Sequence, residues 1–377
     1  MNRFTIIASS VLLVLAACAK VTPVSPPDQE ITFTVANLAQ ATKASAFNPE
    51  ESFGTFAYWT PNSWWYDEDP SLFMNNEKIS LLSGGVWAPA DPHYWTKSGT
   101  ISFASYAPYC AAKGTLGFTV APAYSRDHHF TFTDYTIVDE TNVDLMIADD
   151  SSNKNCTQAT NTSGEAVVSI DEEGNEVNSF KGVPTLFTHA LSRVRFVFQQ
   201  KLYGNPSVEE ENSWIEVTSV EVLNLFNKNT FTDNKWNLAA AQGNVAYAYL
   251  AVTENPVKIA KASAGTPTQV GEPKIVLPQI LATVNDDDDD QPVYNYGNQT
   301  LRVYYNIHTK FKSNPTVQVQ SGLTEDVVLG KVGLDKWEMN QDITYRVTIS
   351  PYTTDPITFD PAVTDWTLSS GELSVQE

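Results

Sequence analysis

Hydrophobic and polar residues alternate through much of this chain. In Ile31-Thr32-Phe33-Thr34-Val35-Ala36, the residues at 31, 33 and 35 are apolar and those between them are small or polar, the period-two pattern of a half-buried strand. Gly117-Phe118-Thr119-Val120, Val194-Arg195-Phe196-Val197-Phe198, Glu216 to Val222, Leu301 to Tyr305 and Tyr345-Arg346-Val347-Thr348-Ile349 read the same way. In the last run Tyr345, Val347 and Ile349 should face a core, and Arg346 and Thr348 water. Pro, Gly, Asn and Asp break the runs at short intervals, and no window of ten residues carries a helical stripe; Ala239 to Gln242 amounts to a turn or two at most. The fold class this predicts is all-β, with antiparallel strands packed as two tandem β-sandwiches.

A chain of 377 residues exceeds what one core usually holds. The best junction is Val183-Pro184, which gives an N-terminal sandwich over 44–183 and a C-terminal one over 184–366. Just before it, 149–181 is rich in Ser, Asn, Asp, Glu and Gly, with Val167, Val168 and Ile170 as an apolar island suited to a short hairpin. A polar insertion at 260–272 and the aspartate run 286–290 interrupt the second half.

The first residues read as an address. Met1 to Arg3 is a positive start, Phe4 to Leu15 a mostly apolar run, and Leu15-Ala16-Ala17-Cys18 closes it. A core this short cannot span a bilayer and has signal-peptide size. Small residues before a cysteine form a bacterial lipobox: residues 1–17 would be removed by cleavage between Ala17 and Cys18, and the Cys18 thiol lipidated, which anchors the exported chain in a membrane. A proline-punctuated tether follows, then the Ile31, Phe33, Val35 strand. The polar segment 37–45 carries one cation, Lys43. A trypsin-like protease needs such a segment and would cut between Lys43 and Ala44; a solvated loop lysine is the competing reading. Residues 18–43 thus form a lipidated propeptide holding a removable first strand.

The formal charge of −21 excludes nucleic acid as a partner, since that requires clustered Lys and Arg, and opposes unaided adhesion to anionic lipid. With Cys18 assigned to the lipobox, Cys110 and Cys156 remain. Export permits a disulfide between them, and two unpaired thiols are the equal alternative.

Little in the chain looks catalytic. The run Asp286 to Asp290 has the oxygen ligands calcium prefers, but it lacks the spacing and the turning glycine of a calcium loop, so it reads as a solvated, self-repelling loop. His128 and His129 are neighbours and would point to opposite sides of a strand. His189 reads as a packed or edge histidine. No Gly-x-Ser-x-Gly elbow, phosphate-binding glycine loop or His-Glu-x-x-His motif occurs. No metal, cofactor or enzymatic activity is expected. Trp64-Trp65 stands out among the early aromatics, because strand neighbours cannot both face one core; one of the pair suits a surface contact.

Taken with a lipobox, a leading strand and a basic cleavage point, four further segments carry a family resemblance: 101–108 (ISFASYAP), 143–148 (VDLMIA), 187–196 (FTHALSRVRF) and 357–366 (ITFDPAVTDW). In this order the chain resembles the precursor of a Bacteroidetes fimbrillin, the subunit of type V pili. The resemblance implies transthyretin-like sandwich domains, a lipid-anchored precursor at the outer membrane, and assembly at the cell surface into a fimbria that supports adhesion. It also implies donor-strand exchange: proteolysis frees the first strand, and the tail of another subunit fills its place. Residues 367–377 are the candidate tail, with Trp366, Leu368, Leu373 and Val375 as the apolar positions; groove and tail are different surfaces, so the contact is head-to-tail and grows a filament. The family's best-known maturation proteases cut after arginine, whereas this chain offers Lys43. Two other readings stand beside this one: a monomeric surface lipoprotein binding glycan or protein, and a hydrolase, for which no site is assembled in the sequence.

Overall fold

A computed structural model of the chain describes residues 30–36, 52–61, 70–83, 85–96, 99–137, 143–148, 150–154, 169–170, 176–177, 182–252, 254–285, 293–330 and 334–366. The fold is all-β. Its first sheet contains β1 (Phe33–Ala36), β2 (Phe53–Thr60), β3 (Ser71–Leu82), β4 (Val86–Pro89), β5 (Thr100–Ala107), β8 (Met146–Ala148), β9 (Ser151–Lys154) and β12 (Val183–His189). Seven of these follow one another as β2-β3-β4-β1-β12-β8-β5, and β5 pairs back onto β2, from Gly54↔Tyr106 to Thr60↔Thr100, so the sheet closes into a ring. Ile31, Phe33, Phe53, Ile79, Ile101, Phe103 and Phe187, drawn from strands all round the ring or beside them, form its buried core. Closure removes open edges, whose free donors and acceptors would otherwise pair with other chains.

A second sheet joins the two halves of the chain. Its order is β16-β15-β7-β6, from β6 (Ala123–Ser125) and β7 (His129–Thr136) before β12 and β15 (Lys228–Thr232) and β16 (Lys235–Trp236) after it. Phe132 on β7 stacks on Phe231 of β15, with ring centroids 5.4 Å apart.

The remaining large sheets face each other as a sandwich. One holds β13 (Ser192–Gln200), β19 (Ala260–Lys261), β20 (Thr268–Gln269), β21 (Lys274–Val276), β28 (Gln341–Ile349) and β29 (Thr358–Asp365); the other holds β14 (Trp214–Leu225), β17 (Val245–Leu250), β18 (Val257–Lys258), β25 (Thr300–Thr309) and β26 (Gln318–Val328). Alternate residues are buried along β13 and β25, as the period-two pattern requires. Phe196 bridges the layers, meeting Tyr249 of the opposite sheet edge-on at 4.7 Å and stacking on Tyr345 at 5.3 Å. Three short pairs complete the described residues: β10 (Ser169–Ile170) with β11 (Glu176–Val177), β22 (Gln279–Ile280) with β27 (Lys336–Trp337), and β23 (Ala282–Asn285) with β24 (Val293–Tyr296).

Several details differ from the sequence expectations. Not every pairing is antiparallel: β1 runs parallel to β12, and β13 is parallel to both β28 and β19. Gly117 to Val120 is a turn with an isolated bridge between Thr115 and Phe118. Gly117, at φ +87°, bends the chain where a side chain would strike the Thr136 carbonyl. The expected junction at 183/184 falls within β12, whose residues as far as His189 pair with β8, so the chain leaves the first sheet at Ala190. The polar stretch 260–272 is not a detached insertion; its short strands β19 and β20 pair with β13.

Candidate functional site

Two neighbouring features meet on β12: the seat of β1 at its start and the docking of Trp366 at its end. Among the described residues, β1 is the only strand that links β4 to β12 in the ring order. On one side it pairs in parallel with β12, from Phe33↔Val183 to Ala36↔Leu186; on the other it meets β4 through Phe33↔Trp87. Just before it, the Ile31 N–H donates to the His93 carbonyl at 2.7 Å, and the Val183 N–H donates to the Thr32 carbonyl at 2.7 Å.

The alternation seen in the sequence now has a physical meaning. Ile31 and Phe33 point into the ring and are 1% and 3% exposed, while Val35 is half-buried. The Phe33 ring meets Phe53 and Phe103 edge-on at 5.5 and 5.7 Å, an arrangement favoured by aromatic quadrupoles. Burying two such side chains contributes about 1.5–3 kcal/mol each. Gly182 completes the seat: a Cβ there would lie 2.7 Å from the Phe33 backbone carbon, and its φ of +128° is one that side-chain-bearing residues rarely adopt. Glycine therefore allows β1 to lie this close.

At the other end of β12, His189 is buried and hydrogen-bonded through Nδ1 to Asp144 Oδ2 at 2.7 Å. Its ring lies flat on Trp366, 3.7 Å between centroids and 2° between planes. The Arg193 guanidinium covers the Trp366 ring at 4.9 Å, and the Trp366 N–H donates to the Asn340 carbonyl at 2.6 Å. Arg193 and Arg195 both donate to Asp342. Burial pushes the Asp144 carboxyl above the ordinary carboxylate range, against the opposing pull of its hydrogen bond to His189 and the charges of His189 and Arg193. Trp366 is thus 3% exposed and held by its own molecule. Sequence reasoning placed Asp144 in one motif, His189 in another and Trp366 in a third, and had no signal that the three meet.

The other expected site residues divide into two groups. Ala17, Cys18, Lys43, Ala44, Trp64, Trp65, Cys156, Leu368, Leu373 and Val375 lie outside the described residues, as does the Asp286 to Asp290 run. Cys110 is described: it is a buried free thiol, donating to the Ala112 carbonyl at 2.9 Å. His128 and His129 turn to different carboxylates, Asp233 and Asp150, each at 3.1 Å. Among the described residues no group of three His, Cys, Asp or Glu could hold a metal, and no helix is long and apolar enough to cross a membrane.

A family model described as fimbrillin-like matches residues 40–366. The chain belongs to the fimbrillin-like family. The match begins after β1 and ends at Trp366, so both the leading strand and the last residues lie outside this fimbrillin-like region. Among solved structures, a fimbrial protein from Bacteroides vulgatus is 17% identical and superposes with a TM-score of 0.54, covering 90% of this chain and 99% of the other. The tip fimbrial protein Mfa3 from Porphyromonas gingivalis, with a C-terminal truncation, is 11% identical at a TM-score of 0.34, covering 90% and 100%. The first of these shows a shared fold. No curated protein matches the chain in sequence.

Proposed function

We propose that this fimbrillin-like chain is a structural, non-enzymatic subunit of a cell-surface fimbria and that it assembles by exchanging β1 for the tail of another subunit. The observation that carries the reading is the position of β1, among the described residues the one link between β4 and β12 in an otherwise closed ring. If β1 leaves, β4 and β12 become facing edges above a slot lined by Phe53, Phe103 and Phe187, and unpaired edges over apolar surface recruit a strand.

In this reading the precursor is exported, cut between Ala17 and Cys18, lipidated on Cys18 and held at the outer membrane. Cleavage between Lys43 and Ala44 by a protease that accepts a basic residue then severs β1 from the body. The donor begins at Thr367, because Trp366 is fixed to its own subunit by His189 and Arg193; Leu368, Leu373 and Val375 supply its apolar side chains. The partners are therefore other pilin subunits, joined head-to-tail, and the fimbria supports adhesion.

The test uses purified precursor treated with trypsin and followed by size-exclusion chromatography and electron microscopy. Wild-type protein should give filaments. Lys43→Gln should stay uncut at that position and monomeric, and a chain lacking 367–377 should be cut but remain monomeric. Filaments from the tail-less chain would overturn the reading.

A further inference from the structure

A groove of about 450 Å³ lies beside the end of β14, with Asn224, Phe226, Leu238, Ile280, Asn298 and Gln299 among the residues that line it and neither β1 nor Trp366 among its described lining. This is within the size range of small-ligand sites. Its walls come from the end of β14, the 3-10 turn Leu238–Ala240, the β22–β23 segment and the turn into β25, so no single stretch of sequence reveals it. Three properties define what it would hold.

First, the lining contains no ionisable side chain among the described residues, although the chain as a whole carries a net charge of −21. The polar groups are amides and a hydroxyl: Asn224, Asn244, Asn298, Gln299 and Thr283. Second, Phe226, Leu238 and Ile280, all half-buried, supply apolar surface beside these amides. Amides offer a donor and an acceptor in one plane, the arrangement that pairs with adjacent hydroxyls, while apolar surface suits the C–H face of a sugar ring.

Third, a buried acceptor behind the groove wall has no partner. Gln299 is 2% exposed, and its Nε2 donates to Gln279 Oε1 at 3.3 Å and to the Ile280 carbonyl at 3.2 Å. Its Oε1 is buried with no hydrogen-bond partner. A buried acceptor without a donor is unusual and calls for an explanation. Oε1 lies against Gly297, where a Cβ would come within 2.3 Å of it. Glycine at 297 keeps a side chain off this acceptor.

We propose that this groove binds a neutral carbohydrate, with Asn244 and Asn298 grasping adjacent hydroxyls at the rim and Phe226 beneath the ring. This site does not use the tail, so it is tested on the full-length, uncleaved chain. That protein is applied to an array of neutral oligosaccharides of mammalian and of plant type, together with sialylated and sulfated counterparts.

The expected result is binding to a neutral glycan, with affinity falling at least tenfold in an Asn244→Ala/Asn298→Ala variant whose melting temperature is unchanged; both side chains are on exposed residues. In the wild-type sequence, hydrogen exchange with the bound glycan should slow at 297–299 and at 224–226. Binding only to the charged glycans, binding to none, undiminished binding by the folded double variant, or protection confined to other residues would each overturn the assignment.

Discussion

β1 and β28 are built from the same materials and held very differently. Each has a parallel neighbour on one side and an antiparallel one on the other, and each sends alternate apolar side chains into a core. β28 makes eight registered pairs with β13 and eight with β29, and its Asp342 is clasped by Arg193 and Arg195. β1 makes four registered pairs with β12 and one with β4. The attachment of β1 therefore rests chiefly on Ile31 and Phe33, whereas β28 is fixed by ladders, a charged clasp and burial together. A strand held mostly by side chains in sockets can be replaced by another that brings similar side chains, and that is the property strand exchange requires.

Core truncation is the strongest way to sharpen the contrast. Phe33→Ala should destabilise the uncut precursor by about 3–5 kcal/mol, the usual cost of emptying an aromatic site, measured by urea denaturation. After cleavage and loss of residues 1–43 the same substitution is no longer present in the protein. Ile349→Ala in β28 should cost about 2–5 kcal/mol before and after cleavage alike. A Phe33→Ala protein that stays less stable than wild type after cleavage would mean that β1 has not left, and would erase the distinction.

Gly182→Ala comes next, at about 1–3 kcal/mol from backbone strain, with crowding against Phe33 in addition. Hydrogen exchange should quicken at 31–36 and stay unchanged at 341–349. Asp342→Asn acts in the opposite sense: it leaves two half-buried guanidinium groups short of a carboxylate, and a loss of about 1–3 kcal/mol should appear as faster exchange at 341–349 with 31–36 unaffected.

The smallest effect belongs to Asp144, which touches neither strand. Its folded carboxyl titrates above the ordinary value because of burial. A group raised on folding adds stability that is fully present below its unfolded value and is lost as pH rises through the folded one. Wild-type protein should therefore gain stability relative to Asp144→Asn as pH is lowered from 7 toward 4, by urea denaturation at each pH. A gap that widens in favour of wild type as pH rises would contradict the burial argument.

Local pattern was legible in the sequence and long-range pairing was not. Alternation correctly put Tyr345, Val347 and Ile349 inside and Arg346 outside, and it picked out Ile31 and Phe33 as the buried side of β1. It failed at Gly117 to Val120, where one glycine with positive φ turns an alternating run into a bend. Nothing periodic records that β5 closes onto β2, that β15 joins β7, or that β1 lies beside β12, because such contacts link residues far apart in the chain. Grooves escaped for the same reason. Gln279 and Gln299 look like ordinary polar residues until the fold sets their amides 3.3 Å apart in a buried position.

The most direct test of whether β1 is the exchangeable strand is to lock it in place. Val35 and Thr185 are registered partners on β1 and β12, so a Val35→Cys/Thr185→Cys precursor can be oxidised, digested with trypsin and followed for filament growth by electron microscopy. The oxidised protein should remain monomeric after cleavage and form filaments once a reductant is added. Filaments of wild-type length and yield from the oxidised, fully cross-linked protein would contradict the account.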